Sequence, residues 1–140
     1  MDGSRDAELV SIAVKSLDNA YCRYSNFPVA AALLARDGRI FTGVNVENAS
    51  YGGTICAERS AFVSAVSAGV REFAVIAIAT RSATDPPASP CGLCRQFMVE
   101  FGDLRVVLHS AVNGKQLVTS LKQLLPFAFT PADLDNYGSQ

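Results

Sequence analysis

Three cysteines and one glutamate carry the strongest chemical signal in the chain. They stand in Cys56-Ala57-Glu58 and in Pro90-Cys91-Gly92-Leu93-Cys94. Zinc takes thiolate and imidazole donors in a tetrahedral shell, and a catalytic zinc keeps one position open for water. Cys56, Cys91 and Cys94, with no suitably placed histidine, match that count: three ligands and one open position. Glu58, two residues after Cys56, sits near the metal without being a ligand. A carboxylate there can take a proton from water and pass it to a leaving amine. Three thiolates outweigh the charge of one Zn²⁺, which would make the ion a poorer Lewis acid. Arg59, next to Glu58, and Arg95, next to Cys94, are well placed in sequence to donate hydrogen bonds to sulfur, and one or both are expected to partly offset that excess.

Other readings of the same residues compete. A lone C-x-x-C is also a redox pair or half of a structural zinc site. A redox pair leaves Cys56 and Glu58 unexplained. A structural site needs a fourth ligand, and Cys22 and His109 are the spare candidates. Cys22 reads as packing on an amphipathic helix and His109 as a hydrogen-bonded or surface residue. A non-catalytic, zinc-stabilised binding module stays open as a reading from a different class. Glu58 beside an open coordination position is the feature that separates the two.

The cysteines need elements that bring them together. Leu9, Ile12, Ala13, Ser16, Leu17 and Ala20 recur at helical spacing, predicting a helix over 6–22. Val29–Leu34 and Ile40–Val46 flank the turn signal Arg36-Asp37-Gly38 and predict a β-hairpin. Thr54 is the expected cap of a helix over 55–68, closed by Gly69. Phe73–Thr80 is continuously apolar and predicts a buried strand. The loop Ser82–Ser89 leads into a helix over 92–101, ended by Gly102. A strand at Arg105–His109, a last strand at Gln116–Thr119 and a short helix at Leu121–Leu125 follow. This order predicts a sheet with helical layers on both faces. Cys56 and the Cys91/Cys94 pair then fall at two helix starts, where the helix dipole stabilises thiolates.

Composition bounds the rest. A chain of 140 residues fits one domain, with 49% hydrophobic and 18% charged residues, which favours a filled core over disorder. The formal net charge of −1, with no Lys/Arg run, points to a small-molecule partner rather than nucleic acid. The polar, acidic start MDGSRDAEL does not read as a signal peptide, and no apolar run reaches the ~20 residues that span a bilayer. Thiolates that must stay reduced to bind metal imply a cytoplasmic setting.

Several motifs together resemble the cytidine deaminase family in its short, single-domain form. They are Tyr24-Ser25-Asn26-Phe27-Pro28-Val29, Gly43 to Tyr51, Thr54 to Arg59, Ser89 to Gln96, and Leu124 to Pro131. The resemblance implies a three-layer α/β/α sandwich around a five-stranded mixed sheet, one Zn²⁺ per subunit, and a homotetramer with shared sites. It implies hydrolytic deamination of cytidine and 2′-deoxycytidine to uridine and 2′-deoxyuridine, a step of pyrimidine salvage. Asn45 and Glu47 are the implied ribose 3′-hydroxyl binders and Phe27 the aromatic packed on the pyrimidine. The backbone of Ala57 is an implied base contact, as is Glu58. The Ser89 carbonyl faces the leaving amino group, and Tyr51 and Phe129 reach a neighbouring subunit's site. Ala30, where related chains often carry Gly, and Gly53, where a bulkier residue is common, depart from the pattern. Rival enzyme readings are a deaminase of a cytosine-nucleoside antibiotic and an editing deaminase of RNA or DNA. Near-neutral charge weighs against the second.

Overall fold

In the computed structural model, residues 3–138 are described, so Met1, Asp2, Ser139 and Gln140 of the expected 1–140 domain lie outside it. The elements are α1 (Asp6–Ser16), β1 (Val29–Ala35), β2 (Ile40–Val44), α2 (Ala57–Ser67), β3 (Phe73–Thr80), α3 (Gly92–Val99), β4 (Arg105–Ser110), β5 (Gln116–Ser120), α4 (Leu121–Leu124) and α5 (Pro131–Gly138). The five strands form one mixed sheet in the order β2-β1-β3-β4-β5. β1 runs antiparallel to β2 and β3, β3 and β4 are parallel, and β4 and β5 are antiparallel.

Side chains alternate across the pleat and sort the core into two layers. Ala30, Ala32, Leu34, Val75, Ala77 and Val107 face α1, which supplies Leu9 and Ala13, and the 3₁₀ turn after it, which supplies Leu17. Ala31, Leu33, Ile76, Ile78, Val106 and Leu108 pack against Phe62 of α2 and Met98 of α3 on the other side. β3 is buried along its whole length because both of its faces are covered. Phe62 is fully buried and stacks edge-on against Phe73 at 4.8 Å between ring centroids. Burial of such a side chain contributes about 1.5–3 kcal/mol. Helices on both faces of a five-stranded mixed sheet bear out the α/β/α expectation.

α1 is shorter than its apolar stripe predicts. A 3₁₀ turn occupies Leu17–Asn19, and Ala20 is already extended. Two causes act there. The Ser16 hydroxyl donates back to the Ile12 carbonyl at 2.9 Å, a bond that loosens a helix end. Beyond it, Tyr21 N–H donates to the Asn45 carbonyl at 2.9 Å, and Glu47 N–H donates to the Tyr21 carbonyl at 2.8 Å. That pairing requires an extended chain. α2 begins at Ala57 with Cys56, not Thr54, as N-cap. The Thr54 hydroxyl instead accepts from Asn48 N–H at 3.3 Å. Gly69 closes α2 at φ +86°, as expected of a C-terminal glycine. α3 stops at Val99, two residues short of expectation, and α5 has no counterpart in the predicted elements.

Gly43 sets how closely α2 approaches the sheet. A β-carbon at that position would lie 2.4 Å from the Ala57 carbonyl oxygen and 2.4 Å from the Ala61 nitrogen. The first turn of α2 therefore rests directly on the backbone of β2. The two departures from the family pattern are accommodated: Ala30 is fully buried beneath α1, and a β-carbon at Gly53 would meet Asn48 at an ordinary 3.5 Å.

Candidate active site

The sulfur atoms of Cys56, Cys91 and Cys94 lie within 4.8 Å of one another. Cys56 is the N-cap of α2 and Cys91 the N-cap of α3, and neither N-cap side chain caps its helix. Cys94 follows one turn into α3 and is buried. Two helix starts thus converge, each presenting the positive end of its dipole to the thiols.

This donor set suits zinc. Tetrahedral coordination with Zn–S bonds of about 2.3 Å separates sulfurs by about 3.8 Å, so closing each pair takes about 1 Å or less. Hydrogen bonding with Cys94, then the Arg59 guanidinium, lowers the Cys56 thiol to about 5 despite partial burial. Cys94 is pushed up by the same hydrogen bond and by burial. Opposite shifts on two adjacent sulfurs mark thiols that exchange protons for a cation when metal binds. Cys22 and His109 stay out of it. His109 Nδ1 lies 2.9 Å from Gln116 Oε1, a hydrogen-bonded residue as expected.

The two arginines divide their roles. Arg59 Nη2 donates to Cys56 Sγ at 3.6 Å and to the Thr54 carbonyl at 3.4 Å, while its Nε is buried without a hydrogen-bond partner among the described residues. Arg95 does not reach the thiols. Its Nε donates to the Pro90 carbonyl at 2.7 Å, Nη1 to the Leu124 carbonyl at 2.6 Å and Nη2 to Ser89 Oγ at 2.9 Å. Arg95 follows Cys94 directly, about 100° further round α3, so its side chain leaves the Cys94 face and reaches the loop before α3. Arg95 therefore fixes the Ser89-Pro90 segment against the end of α4, and Arg59 alone supplies positive charge to sulfur.

The cluster opens on a cavity of about 290 Å³ lined by Phe27, Asn45, Glu47, Ala57, Glu58 and Ser89 among others. That volume lies at the small end of ligand sites. Glu58 is 4% exposed. Burial raises its carboxyl above the ordinary glutamate value, with a further upward push from the Cys56 thiolate.

At the far wall the chain is held by side chains. Asn45 Oδ1 accepts from Val29 N–H at 3.0 Å, and its Nδ2 donates to the Phe27 carbonyl at 2.9 Å. An amide oxygen accepts two hydrogen bonds and an amide nitrogen donates two, so each end keeps capacity for a ligand. Glu47 Oε1 accepts from Tyr24 N–H and Ser25 N–H, both at 3.0 Å. Asn45 and Glu47 line the same cavity, as two-residue spacing on an extended chain predicts. Ser25 and Thr54 also line it and were not singled out as site residues by sequence reading. Tyr51 and Phe129 stand outside this cavity, 74% and 56% exposed.

The chain matches the description "Cytidine and deoxycytidylate deaminase zinc-binding region" over residues 3–110, from the start of α1 to the end of β4. It belongs to this deaminase family. Cytidine deaminase of Sporosarcina psychrophila is 45% identical over 135 residues, covering 95% of this chain and 97% of the relative. The crystal structure of cytidine deaminase from Burkholderia pseudomallei superposes with a TM-score of 0.83 at 49% identity, covering 88% of this chain and 98% of that one. Blasticidin-S deaminase of Bacillus cereus is more distant, 31% identical over 132 residues and covering 90% of this chain and 93% of the relative. The family's zinc-binding character and the three-sulfur cluster make Zn²⁺ the metal of this deaminase fold.

Proposed function

We propose that the chain is one catalytic domain over 1–140 that hydrolyses cytidine and 2′-deoxycytidine to uridine and 2′-deoxyuridine, releasing ammonia. The observation that carries this reading is a buried Glu58 on the wall of a cavity of about 290 Å³ that Cys56 and Cys91 of the three-thiol cluster also line. The relatives of highest identity named above, all called cytidine deaminase, support the same substrate.

Cys56, Cys91 and Cys94 hold the metal, and the chemistry a bound zinc supplies is Lewis acidity that brings water into ionisation range near neutral pH. Glu58 accepts a proton from the attacking water and gives it to N3 of the pyrimidine. The water oxygen bonds to C4. Glu58 next delivers the second water proton to the exocyclic nitrogen, the C4–N4 bond breaks, ammonia leaves and the C4 carbonyl forms. Burial suits Glu58 to this work, because it raises the carboxyl above the ordinary glutamate value and so strengthens it as a base. Phe27 packs on the base, Ala57 offers its backbone, and the Ser89 carbonyl accepts from the amino group. Arg95, tied to Ser89 and to Pro90, keeps that carbonyl in place. Asn45 and Glu47 receive the ribose 3′-hydroxyl.

The reading extends to assembly and setting. Tyr51 and Phe129 reach the site of a neighbouring copy in a homotetramer. Their exposure supports this, as does that of Leu93 and Phe127, since apolar side chains of this size favour burial between subunits. The cytoplasm suits an enzyme of pyrimidine salvage with three reduced thiols. No helix among the described residues is long and apolar enough to cross a membrane.

Metal analysis combined with ammonia release from cytidine tests the function directly. Zinc near one per chain and steady ammonia release are expected. Glu58→Gln should retain zinc and lower kcat by about 10²–10⁴-fold. Cytidine binding with zinc present but no ammonia would instead mark a binding module. Sedimentation tests the assembly, and a fully active monomer would remove the roles of Tyr51 and Phe129.

A further inference from the structure

The proposed function leaves Ser25 without a role, yet no other side chain in the segment 21–28 makes as many hydrogen bonds. Its hydroxyl donates to Glu47 Oε2 in a short hydrogen bond. The same oxygen accepts from Phe27 N–H at 3.0 Å. Its own backbone N–H donates to Glu47 Oε1 at 3.0 Å. One residue therefore touches both oxygens of the proposed sugar-binding carboxylate and the backbone of the proposed base-packing aromatic.

The local backbone needs this arrangement. Asn26, between Ser25 and Phe27, has φ +56°, a left-handed conformation that asparagine tolerates better than most residues. Asn26 N–H donates to the Cys22 carbonyl at 2.8 Å, closing a tight turn. That turn points Phe27 N–H back at the Ser25 hydroxyl. A carboxylate offers about four acceptor sites. Tyr24 N–H, Ser25 N–H and Ser25 O–H fill three of them. One site is left for a sugar hydroxyl, with its direction set by the other three. The Ser25 hydroxyl and the two backbone N–H groups also hold the Glu47 carboxyl below the ordinary glutamate range, so the acceptor is anionic near neutral pH.

We propose that Ser25 is a positioning residue for the nucleoside: its hydroxyl couples Glu47 to Phe27, so that recognition of the 3′-hydroxyl and packing of the base are set together. The proposal rests on the cytidine deaminase reading and on Glu47 as the sugar's partner. It sharpens substrate choice, because a nucleoside lacking the 3′-hydroxyl forfeits the contact that Ser25 aims. A loosened Ser25 would leave the metal cluster and Glu58 untouched, since neither contacts the 21–28 turn in any bond described above.

Steady-state kinetics of Ser25→Ala on cytidine and on 2′,3′-dideoxycytidine separates this role from a merely structural one. Expected are wild-type zinc content, a KM for cytidine raised about tenfold, a kcat within about twofold of wild type, and a KM for the dideoxy substrate raised about threefold or less, as losing one charge-assisted hydrogen bond predicts. Ser25→Thr, which keeps the hydroxyl, should recover most of the loss. Equal KM increases for the two substrates would overturn the coupling to Glu47. So would a fall confined to kcat, or failure of threonine to rescue. If Ser25→Ala does not fold, Ser25→Cys, with nearly the same shape and a weak donor, is judged by the same split. A wild-type protein that releases no ammonia from cytidine would instead remove the functional reading, an outcome distinct from each of these.

Discussion

The two walls of the cavity are built by different means. On the metal wall, every key group belongs to a helix start: Cys56 and Cys91 are N-caps, and Glu58 and Cys94 lie within the first turns. Packing fixes those groups, because α2 and α3 are pressed onto the sheet through Phe62 and Met98. On the sugar wall, Phe27, Asn45 and Glu47 lie outside all helices and strands, and side-chain to backbone hydrogen bonds hold them. Cys94 and Glu58 are buried, Cys56 is half-buried and Cys91 is exposed, while on the other wall Asn45 is buried and Phe27 is 42% exposed in the single chain. Chemistry thus rests on the rigid scaffold, and substrate choice rests on a loop that hydrogen bonds can retune.

Substitutions should divide along the same line. Cys94→Ala is expected to have the largest effect: loss of zinc and of activity by more than about 10³-fold, read by metal analysis and ammonia release, because three ligands are the minimum that a catalytic zinc keeps. Gly43→Ala should come next. Its methyl has no room beside the backbone of α2, so a stability loss of about 3 kcal/mol by denaturant melting is expected, with kcat falling as Glu58 shifts. An unchanged kcat in that variant would show that the metal wall does not depend on the close approach of α2 to β2. Arg59→Gln should weaken zinc binding by about 10–100-fold, the range for outer partners of metal ligands, whereas Arg95→Gln should leave zinc affinity near wild type and act on turnover through Ser89. Equal effects of the two arginines on zinc affinity would erase the division of labour described for them.

The smallest effect concerns pH on the sugar wall. Glu47 has a folded pKa below its ordinary value near 4.5, chiefly through the Ser25 hydroxyl. A depressed carboxyl contributes stability that is complete above the unfolded pKa and is lost as pH falls through the lower folded one. The difference in melting temperature between wild type and Ser25→Ala should therefore stay constant from pH 7 to about 5 and shrink below about 4. A difference that grows on acidification would contradict an anionic Glu47.

Much of the metal wall was legible in the sequence, and less of the sugar wall. Cys56, Cys91, Cys94 and Glu58 stood out because ligand spacing and helix starts are local features. β3 matched its expected bounds because a strand buried on both faces is apolar throughout. The end of α1 was misread because Ala20 continues the apolar stripe while distant Asn45 and Glu47 claim the backbone of Tyr21. Which of Arg59 and Arg95 serves the thiols is not legible in the sequence, because the thiol nearest to Arg95 in sequence is not its nearest acceptor in space. Ser25 was passed over because its partner lies 22 residues away, beyond any periodic pattern. Gly43 belonged to a quoted motif, but the crowding that requires glycine is visible only once α2 lies on β2.

Asn45 shows what such a wall asks of one residue. Just past the end of β2, its carboxamide accepts from Val29 N–H and donates to the Phe27 carbonyl, as a peptide group in a neighbouring strand would. The side chain serves as a surrogate rung that carries the ladder back past Val29, the first residue of β1. Aspartate would supply the acceptor and lose the donor, and leucine would fill the volume and lose both. The choice of asparagine is thus dictated by architecture before any nucleoside arrives, and in the proposed binding mode the sugar would meet an amide already held at both ends.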